Sequence, residues 1–157
     1  LPVRFAYQGQ ADEGMTRLRF SFFTVDHSAS TPSLLVGEYG STKQTRRFAR
    51  FPLDPETRLL LADVEGRSLP DVDDRGQTRM QGVSVVDGTY YATASRTPLF
   101  PGSMYVGTPG EFREVRWATP IGPEDLVWWP DTGCLWSVTE HPHRRWVFAM
   151  RRSELRR

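Results

Sequence analysis

PEDLVWWPDTGCLWSVTEH, residues 123–141, holds two short apolar runs, LVWW and LWSV, on either side of the linker PDTG. Pro, Asp and Gly in so short a linker are typical of the turn that closes a β-hairpin. A third run, RRWVFAMRRS at 144–153, follows closely. The stretch therefore predicts three consecutive antiparallel strands.

Two earlier segments repeat this order of strands and turns. The second unit covers 80–120, and the first covers 17–63 and ends in the predicted fourth strand TRLLLAD (57–63). Equivalent first strands lie about 62 and then 43 residues apart, because the loop EGRSLPDVDDRGQ (65–77) lengthens the first interval. Four strands in a repeat of this length are typical of a β-propeller blade.

The predicted fold class is all-β, with three four-stranded antiparallel blades of a β-propeller. Their first strands are expected near 18–25, 81–87 and 124–129, and the third unit, 123–153, lacks a fourth strand. The opening segment PVRFAYQG (2–9) resembles the fourth strand of the second unit, so we expect it to form the fourth strand of a neighbouring or closing blade. A sandwich or barrel of similar-looking strands is the alternative architecture.

Three blades do not close a propeller ring. We expect the chain to be about half of a six-bladed ring that a second chain or a cleaved half completes. A degenerate fourth blade hidden in the long first loop is the alternative. In a complete ring, residues 2–9 would pair with the sheet that contains 144–153 or would finish a blade in the missing segment.

Composition limits the classes of partner. The chain has 157 residues, 38% hydrophobic and 25% charged, which is typical of one globular domain. Its net charge is +1, so we expect no nucleic-acid partner. No apolar run approaches the roughly 20 residues of a membrane-spanning helix, so we expect no membrane partner. Cys134 is the only cysteine, which excludes an internal disulfide.

Polar residues at the starts of the first strands are the main candidates for a site. In a propeller these positions line the central channel, so their side chains converge on one axis. The third unit places Glu124 and Asp125 there, the second Gln81 and the first Arg19. We expect them to bind a ligand or a metal ion. An ion pair between Arg19 and Glu124 would instead make the position structural.

Aromatic residues and a loop supply further candidates. Trp128 and Trp129 are adjacent on a strand and must face opposite sides, so one of them is a possible stacking platform for a sugar or aromatic ligand. Trp136 and Trp146 occupy strand positions that predict core packing. Off the axis, the candidates for metal binding or base catalysis are Glu140, His141 and His143.

The stretch at 123–141 is similar to the blade motif of six-bladed propellers of the lactonase, gluconolactonase and strictosidine-synthase-like group. The likeness covers mainly 120–150, and more weakly 80–108 and 33–54. The chain also resembles secreted actinobacterial propeller proteins. The resemblance implies an axial Ca²⁺ held by carboxylates from different blades, with Glu124 and Asp125 as the matching residues. Gln81 and Arg19 depart from that pattern.

The function expected first is a secreted, extracellular binding or interaction module with a carbohydrate or protein ligand. Propellers are rigid platforms for binding. The sequence contains no phosphate loop, G-x-S-x-G motif or HExxH motif that would identify catalytic residues. A calcium-dependent hydrolase of lactones or phosphoesters is the second hypothesis, and a structural subunit of a larger assembly is the third.

Overall fold

The computed structural model describes residues 18–41, 46–140 and 145–155, together with the backbone of 6–7. Strands dominate these residues, which form three consecutive antiparallel sheets. The helices among them are one short α-helix, α1 (Arg152–Leu155), and one 3-10 turn, Pro130–Thr132. The predicted all-β fold class is therefore confirmed.

The second sheet has the meander order that a propeller blade requires, β7-β8-β9-β10. The turn between its first two strands is Asp87-Gly88, with φ of 50° and 73°. Two successive left-handed residues suit a tight hairpin, and Asp-Gly adopts this conformation readily. The strands are β7 (Met80–Val86), β8 (Thr89–Ala94), β9 (Gly102–Gly107) and β10 (Arg113–Thr119).

The third sheet contains three strands in the order β11-β12-β13. The 3-10 turn and Gly133, which has a φ of 64°, reverse the chain between the first two. In the part of the chain that the structure describes, no fourth strand joins this sheet, as the sequence predicts. The strands are β11 (Pro123–Trp129), β12 (Cys134–Thr139) and β13 (Val147–Arg151).

The first sheet has four strands, in the order β2-β3-β4-β6. Its fourth strand is not the predicted 57–63, which is a correction. It is β6, inside the segment predicted as a loop, where Val72 is the partner of Ala49 on β4. The strands are β2 (Phe20–Asp26), β3 (Ser33–Glu38), β4 (Phe48–Pro52) and β6 (Asp71–Asp73).

A turn centred on Asp54 explains the displaced fourth strand. The Asp54 carboxylate accepts hydrogen bonds from the backbone N–H groups of Glu56 (3.0 Å) and Thr57 (2.6 Å). The chain then folds back so that Leu60 forms a bridge with Leu53. Because this turn keeps 57–63 beyond the end of β4, the edge of β4 stays open for β6.

The three sheets form an open fan around β7, whose neighbours are the first strands of the other two sheets, β2 and β11. Gly82 permits the closest approach: a Cβ at this position would lie 2.3 Å from the carbonyl carbon of Asp125. The Ser84 hydroxyl also donates a hydrogen bond to the Leu126 carbonyl at 3.2 Å. The first strands therefore meet, as in consecutive blades.

Each contact between sheets has its own apolar core. Phe22, Leu35 and Phe48 of the first sheet pack against Met80 and Val83 of the second. The core between the second and third sheets is built from residues of both and is completed by α1; it contains Tyr91, Met104, Leu126, Leu135 and Leu155. The middle sheet thus contributes to both cores.

The N-terminal strand β1 (Ala6–Tyr7) pairs in parallel with β5 (Arg67–Ser68). Of residues 2–9 the structure describes only the backbone of 6–7, which joins neither the sheet that contains 144–153 nor the other two main sheets. Pairing with a blade of a missing segment stays a prediction.

Candidate ligand pocket where the three sheets meet

A pocket of about 670 Å³ lies at the end of the fan where the first strands start and the second strands end. Equivalent residues of the three sheets line it: Tyr39 follows β3, Ser95 follows β8 and Glu140 follows β12. We call this cavity the three-sheet pocket. The repeat brings these residues together because the second strands end at the same level of the fan.

Arg79 ties two of the sheets together beside the pocket. Its backbone has a φ of 60°, which is unusual for a residue other than glycine. Its N–H donates to the Gly40 carbonyl at 2.7 Å, and its carbonyl accepts from the Ser95 N–H at 3.0 Å. Its guanidinium also donates to the Arg96 carbonyl. These bonds join the loop after β3 to the end of β8, so they stabilise the wall of the pocket.

Gln81 lines the three-sheet pocket. It is buried at the start of β7, and its amide Nε2 donates to the Ser95 hydroxyl at 2.9 Å. This bond fixes the amide plane toward the pocket wall. The hydrogen bond to Ser95 therefore holds the Gln81 amide in one orientation, unlike the amide of a mobile surface side chain.

Glu124 and Glu140 form a pair of acidic groups at the third sheet's side of this end. Burial and the neighbouring Glu140 carboxylate, which shares a hydrogen bond with it, raise the pKa of Glu124 to about 7; Asp125 adds a smaller effect. Two carboxylates this close repel each other when both are ionised, which favours the protonated form of Glu124. Asp125 itself is exposed, with a left-handed φ of 49°.

Arg19 is exposed at the start of β2, and none of the ion pairs among the described residues joins it to Glu124. Its backbone N–H donates to the Glu38 carboxylate at 2.7 Å. Glu38 is buried and is held by Arg47, through Nε at 2.7 Å and Nη2 at 2.8 Å. The carboxylate at the end of β3 is thus neutralised within the first sheet.

The Glu38–Arg47 pair was not predicted from the sequence. The available signal was the pair Arg46-Arg47 directly before β4, opposite a Glu at the end of β3. Antiparallel pairing of β3 with β4 brings these positions side by side.

The tryptophan candidates lie away from the three-sheet pocket. Trp128 and Trp129 are at the far end of β11 from Glu124. Trp128 is half-buried under the Arg152 guanidinium, 5.5 Å from its ring centroid, whereas Trp129 is exposed. Trp146 is half exposed, so its predicted core role is wrong for the single chain. His141 and His143 lie outside the described residues.

A second cavity, of about 940 Å³, opens at the opposite end of the first and second sheets. Arg50 crosses it and donates to Asp26 and to the Ser33 hydroxyl, each at 2.5 Å, and to the Tyr90 hydroxyl. Burial alone would raise the pKa of Asp26, but hydrogen bonds from Ser28 and Arg50 outweigh it and lower that pKa. These bonds engage Arg50 on both of its terminal nitrogens, so the network joins the two sheets.

The Arg50 network was not predicted from the sequence either. A signal was present in the repeated Val-Asp at the end of the first strands, in TVDH at 24–27 and VVDG at 85–88.

Among the described residues, no helix is long and apolar enough to cross a membrane. The same residues contain no group of three or more His, Cys, Asp or Glu arranged to hold a metal ion. No protein-family model, curated protein or solved structure matches this chain.

Proposed function

We propose that this chain is an extracellular binding module of the β-propeller type that binds a small polyhydroxylated carboxylate, such as a sugar acid, in the three-sheet pocket. The observation that carries the proposal is the meeting of all three sheets at one cavity lined by Arg79, Arg96, Gln81 and Glu140. Pockets with a few fixed polar groups at the meeting point of structural units are common ligand sites.

The chemistry of the lining selects this ligand class. Guanidinium groups bind carboxylates through parallel hydrogen bonds, and Arg79 and Arg96 both border the cavity. Glu140 accepts hydrogen bonds, which suits the hydroxyl groups of a sugar. The exposed ring of Tyr39 offers an apolar surface on which a sugar ring stacks.

A calcium-dependent hydrolase of lactones or phosphoesters is the second candidate. The observation in its favour is the Glu124–Glu140 pair, because a cation beside two carboxylates would relieve their repulsion. Calcium binds six to eight oxygen ligands, so further ligands from outside the described residues would have to join them.

The binding proposal is tested by calorimetric titration with gluconate, glucuronate and, as an uncharged comparison, glucose. We expect the acids to bind and glucose to bind at least tenfold more weakly. Arg96→Gln should weaken acid binding about tenfold or more, whereas Arg116→Gln, an equal charge change at an exposed site on β10, should not. Equal binding by the two variants would contradict the proposal.

Calcium titration of the same protein separates the two candidates. Binding of one Ca²⁺ that is lost in Glu124→Gln, together with no binding of sugar acids, would favour the hydrolase. Sugar-acid binding that is unchanged by a calcium chelator supports the binding module.

A further inference from the structure

We propose that two copies of this chain associate through the outer face of the third sheet, which is the face turned away from the second sheet. The same face of both copies takes part, so the contact has two-fold symmetry. This inference goes beyond the proposed function, because it concerns the partner of the third sheet and not the ligand of the three-sheet pocket. It requires neither a closed propeller ring nor a bound ligand.

The outer face of the third sheet is open, unlike that of the first sheet. On the third sheet Val127 is 55% exposed, Val138 44% and Val147 72%. Contiguous apolar surface of this kind on a soluble protein is typical of an interaction site. The outer face of the first sheet is covered within the chain, since it holds a buried apolar cluster of Val36, Ala49 and Phe51 with Leu18, Leu34, Leu60 and Val72 packed against it.

The residues of this face form a grid of three rows across β11, β12 and β13. Paired residues of neighbouring antiparallel strands point to the same side of a sheet, so the pairing defines each row. The alternate residues Leu126 and Leu135 point the other way, into the core. We call the nine residues of the grid the third-sheet face. From the start of β11 to its end, the rows are Glu124, Val138 and Val147, then Val127, Trp136 and Ala149, then Trp129, Cys134 and Arg151.

The two charged residues of the third-sheet face lie at diagonally opposite corners. Glu124 is near the start of β11, and Arg151 is the last residue of β13. The other two corners, Trp129 and Val147, are apolar and exposed. Arg151 is exposed, and neither it nor Glu124 forms an ion pair with any of the described residues. Each charge therefore lacks an opposite charge in the part of the chain that the structure describes.

The positions of these charges select one orientation of the two copies. Four two-fold axes in the plane of the contact would lay one grid over the other: along the strands, across them, or along either diagonal. An axis along or across the strands puts each charge against an apolar corner of the other copy. The diagonal through Glu124 and Arg151 puts like charges together. The diagonal through Trp129 and Val147 brings Glu124 of each copy to Arg151 of the other.

This orientation combines an apolar contact with two ion pairs. The strands of the two copies cross steeply, as in orthogonal sheet packing. Sheets pack about 10 Å apart, a gap that glutamate and arginine side chains span together. The Arg151 cation of the other copy would offset the repulsion between Glu124 and its neighbour Glu140.

The size of the third-sheet face predicts a weak dimer. Three strands at roughly 4.8 Å and three rows at roughly 7 Å make a small patch. It covers less than the roughly 800 Å² per partner of a standard interface, so we expect a dissociation constant in the micromolar range.

A polysaccharide is the alternative occupant, because Trp129 is exposed on this face. Sugar sites combine aromatic rings with fixed polar groups that hydrogen-bond to the hydroxyls. The middle row of the grid, Val127, Trp136 and Ala149, is apolar along its whole length. Such a row fits a second apolar surface better than a chain of hydroxyl groups.

The test is the mass of the complete chain in solution, measured by sedimentation velocity and native mass spectrometry from about 1 to about 200 µM. We expect a dimer of twice the 18.0 kDa chain mass that grows with concentration. Val147→Glu places two carboxylates at the two-fold axis and should raise the dissociation constant about 100-fold or more. Val64→Glu adds the same charge at a fully exposed position away from this face and should leave the dimer intact.

Exchange of the charges tests the orientation. Glu124→Arg alone, or Arg151→Glu alone, puts like charges together, so each variant should weaken its own dimer about tenfold or more. An equimolar mixture of the two variants restores both ion pairs and should dimerise as the wild-type chain does. Circular dichroism checks that each variant is folded. Arg151 is exposed, so Arg151→Glu tests the ion pair by itself where Glu124→Arg does not fold.

Three results would overturn the proposal. They are a wild-type chain that stays monomeric at about 200 µM, an Arg151→Glu variant that dimerises as tightly as the wild type, and folded variants whose mixture does not associate. A dimer that binds no sugar acid refutes the proposed function alone, and a monomer that binds one refutes the dimer alone.

Discussion

At the scale of single residues, Glu124 shows how the fold changes the chemistry of a side chain. An isolated glutamate is ionised at neutral pH, but here burial and Glu140 raise its pKa to about 7. Glu38, at the position equivalent to Glu140, has Arg47 beside it and forms a buried ion pair. Equivalent acids of the repeat thus have opposite environments, because Glu38 pairs with an arginine, whereas the described neighbours of Glu140 include another carboxylate.

The raised pKa of Glu124 predicts a pH-dependent stability. The folded chain holds the proton more tightly than the unfolded chain, so this contribution is complete below the unfolded pKa and is lost as the pH rises toward 7. Glu124→Gln cannot ionise, so we expect its free energy of unfolding relative to the parent to improve by about 1 kcal/mol between pH 4.5 and pH 8, after allowance for solvent screening.

Urea unfolding of Glu124→Gln and of the parent chain at both pH values measures this difference. Glu56→Gln, at an exposed site, serves as the control. A difference that does not change with pH would mean that the pKa of Glu124 is not raised in the folded chain.

At the scale of elements, the close approach of β7 and β11 depends on a residue without a side chain. The Asp125 backbone occupies the space where a Cβ on Gly82 would lie, at 2.3–2.6 Å. The side chains of the third sheet can pack on the second only because these strands come so close. Gly82 therefore supports the wall of the three-sheet pocket as well as the core.

Gly82→Ala should lower the free energy of unfolding by about 3 kcal/mol, since the backbone of β11 must move away. Gly88→Ala offers a matched comparison: its φ is +73°, but no atom lies within 4 Å of the added Cβ. It should cost only about 1 kcal/mol of backbone strain. Urea unfolding of both variants gives the comparison, and equal costs would argue against the close contact of the two strands.

At the scale of the whole molecule, the middle sheet joins the two cores into one cooperative unit. Phe48 packs in the core between the first and second sheets, and Leu135 in the core between the second and third. Both side chains are almost fully buried. Since residues of the second sheet belong to both cores, loss of packing in one core should also destabilise the other core.

Phe48→Ala and Leu135→Ala should therefore each lower the same unfolding transition, by about 3–4 kcal/mol. Far-ultraviolet circular dichroism and tryptophan fluorescence should report coincident transitions, although three of the five tryptophans, Trp128, Trp129 and Trp136, lie on strands of the third sheet. Separate transitions in either variant would show that the sheets unfold independently.

Much of this architecture can be predicted from short stretches of the sequence. The hairpins at VDGT and PDTG, and the alternation around them, predict first strands at 81–87 and 124–129; the structure has them at Met80–Val86 and Pro123–Trp129. Strand and turn preferences act over a few residues, so the all-β class and the order of the units follow from them.

Other features were decided only by the tertiary structure. Because of the turn at Asp54, the fourth strand of the first sheet is β6 and not the predicted 57–63. The N-terminal strand β1 pairs with β5. The proximity of Glu124 to Glu140, and the ion pair of Glu38 with Arg47, arise from strand pairing between distant residues. Such contacts depend on which strand edges and charged groups remain accessible after the sheets have packed. A local sequence pattern does not contain that information.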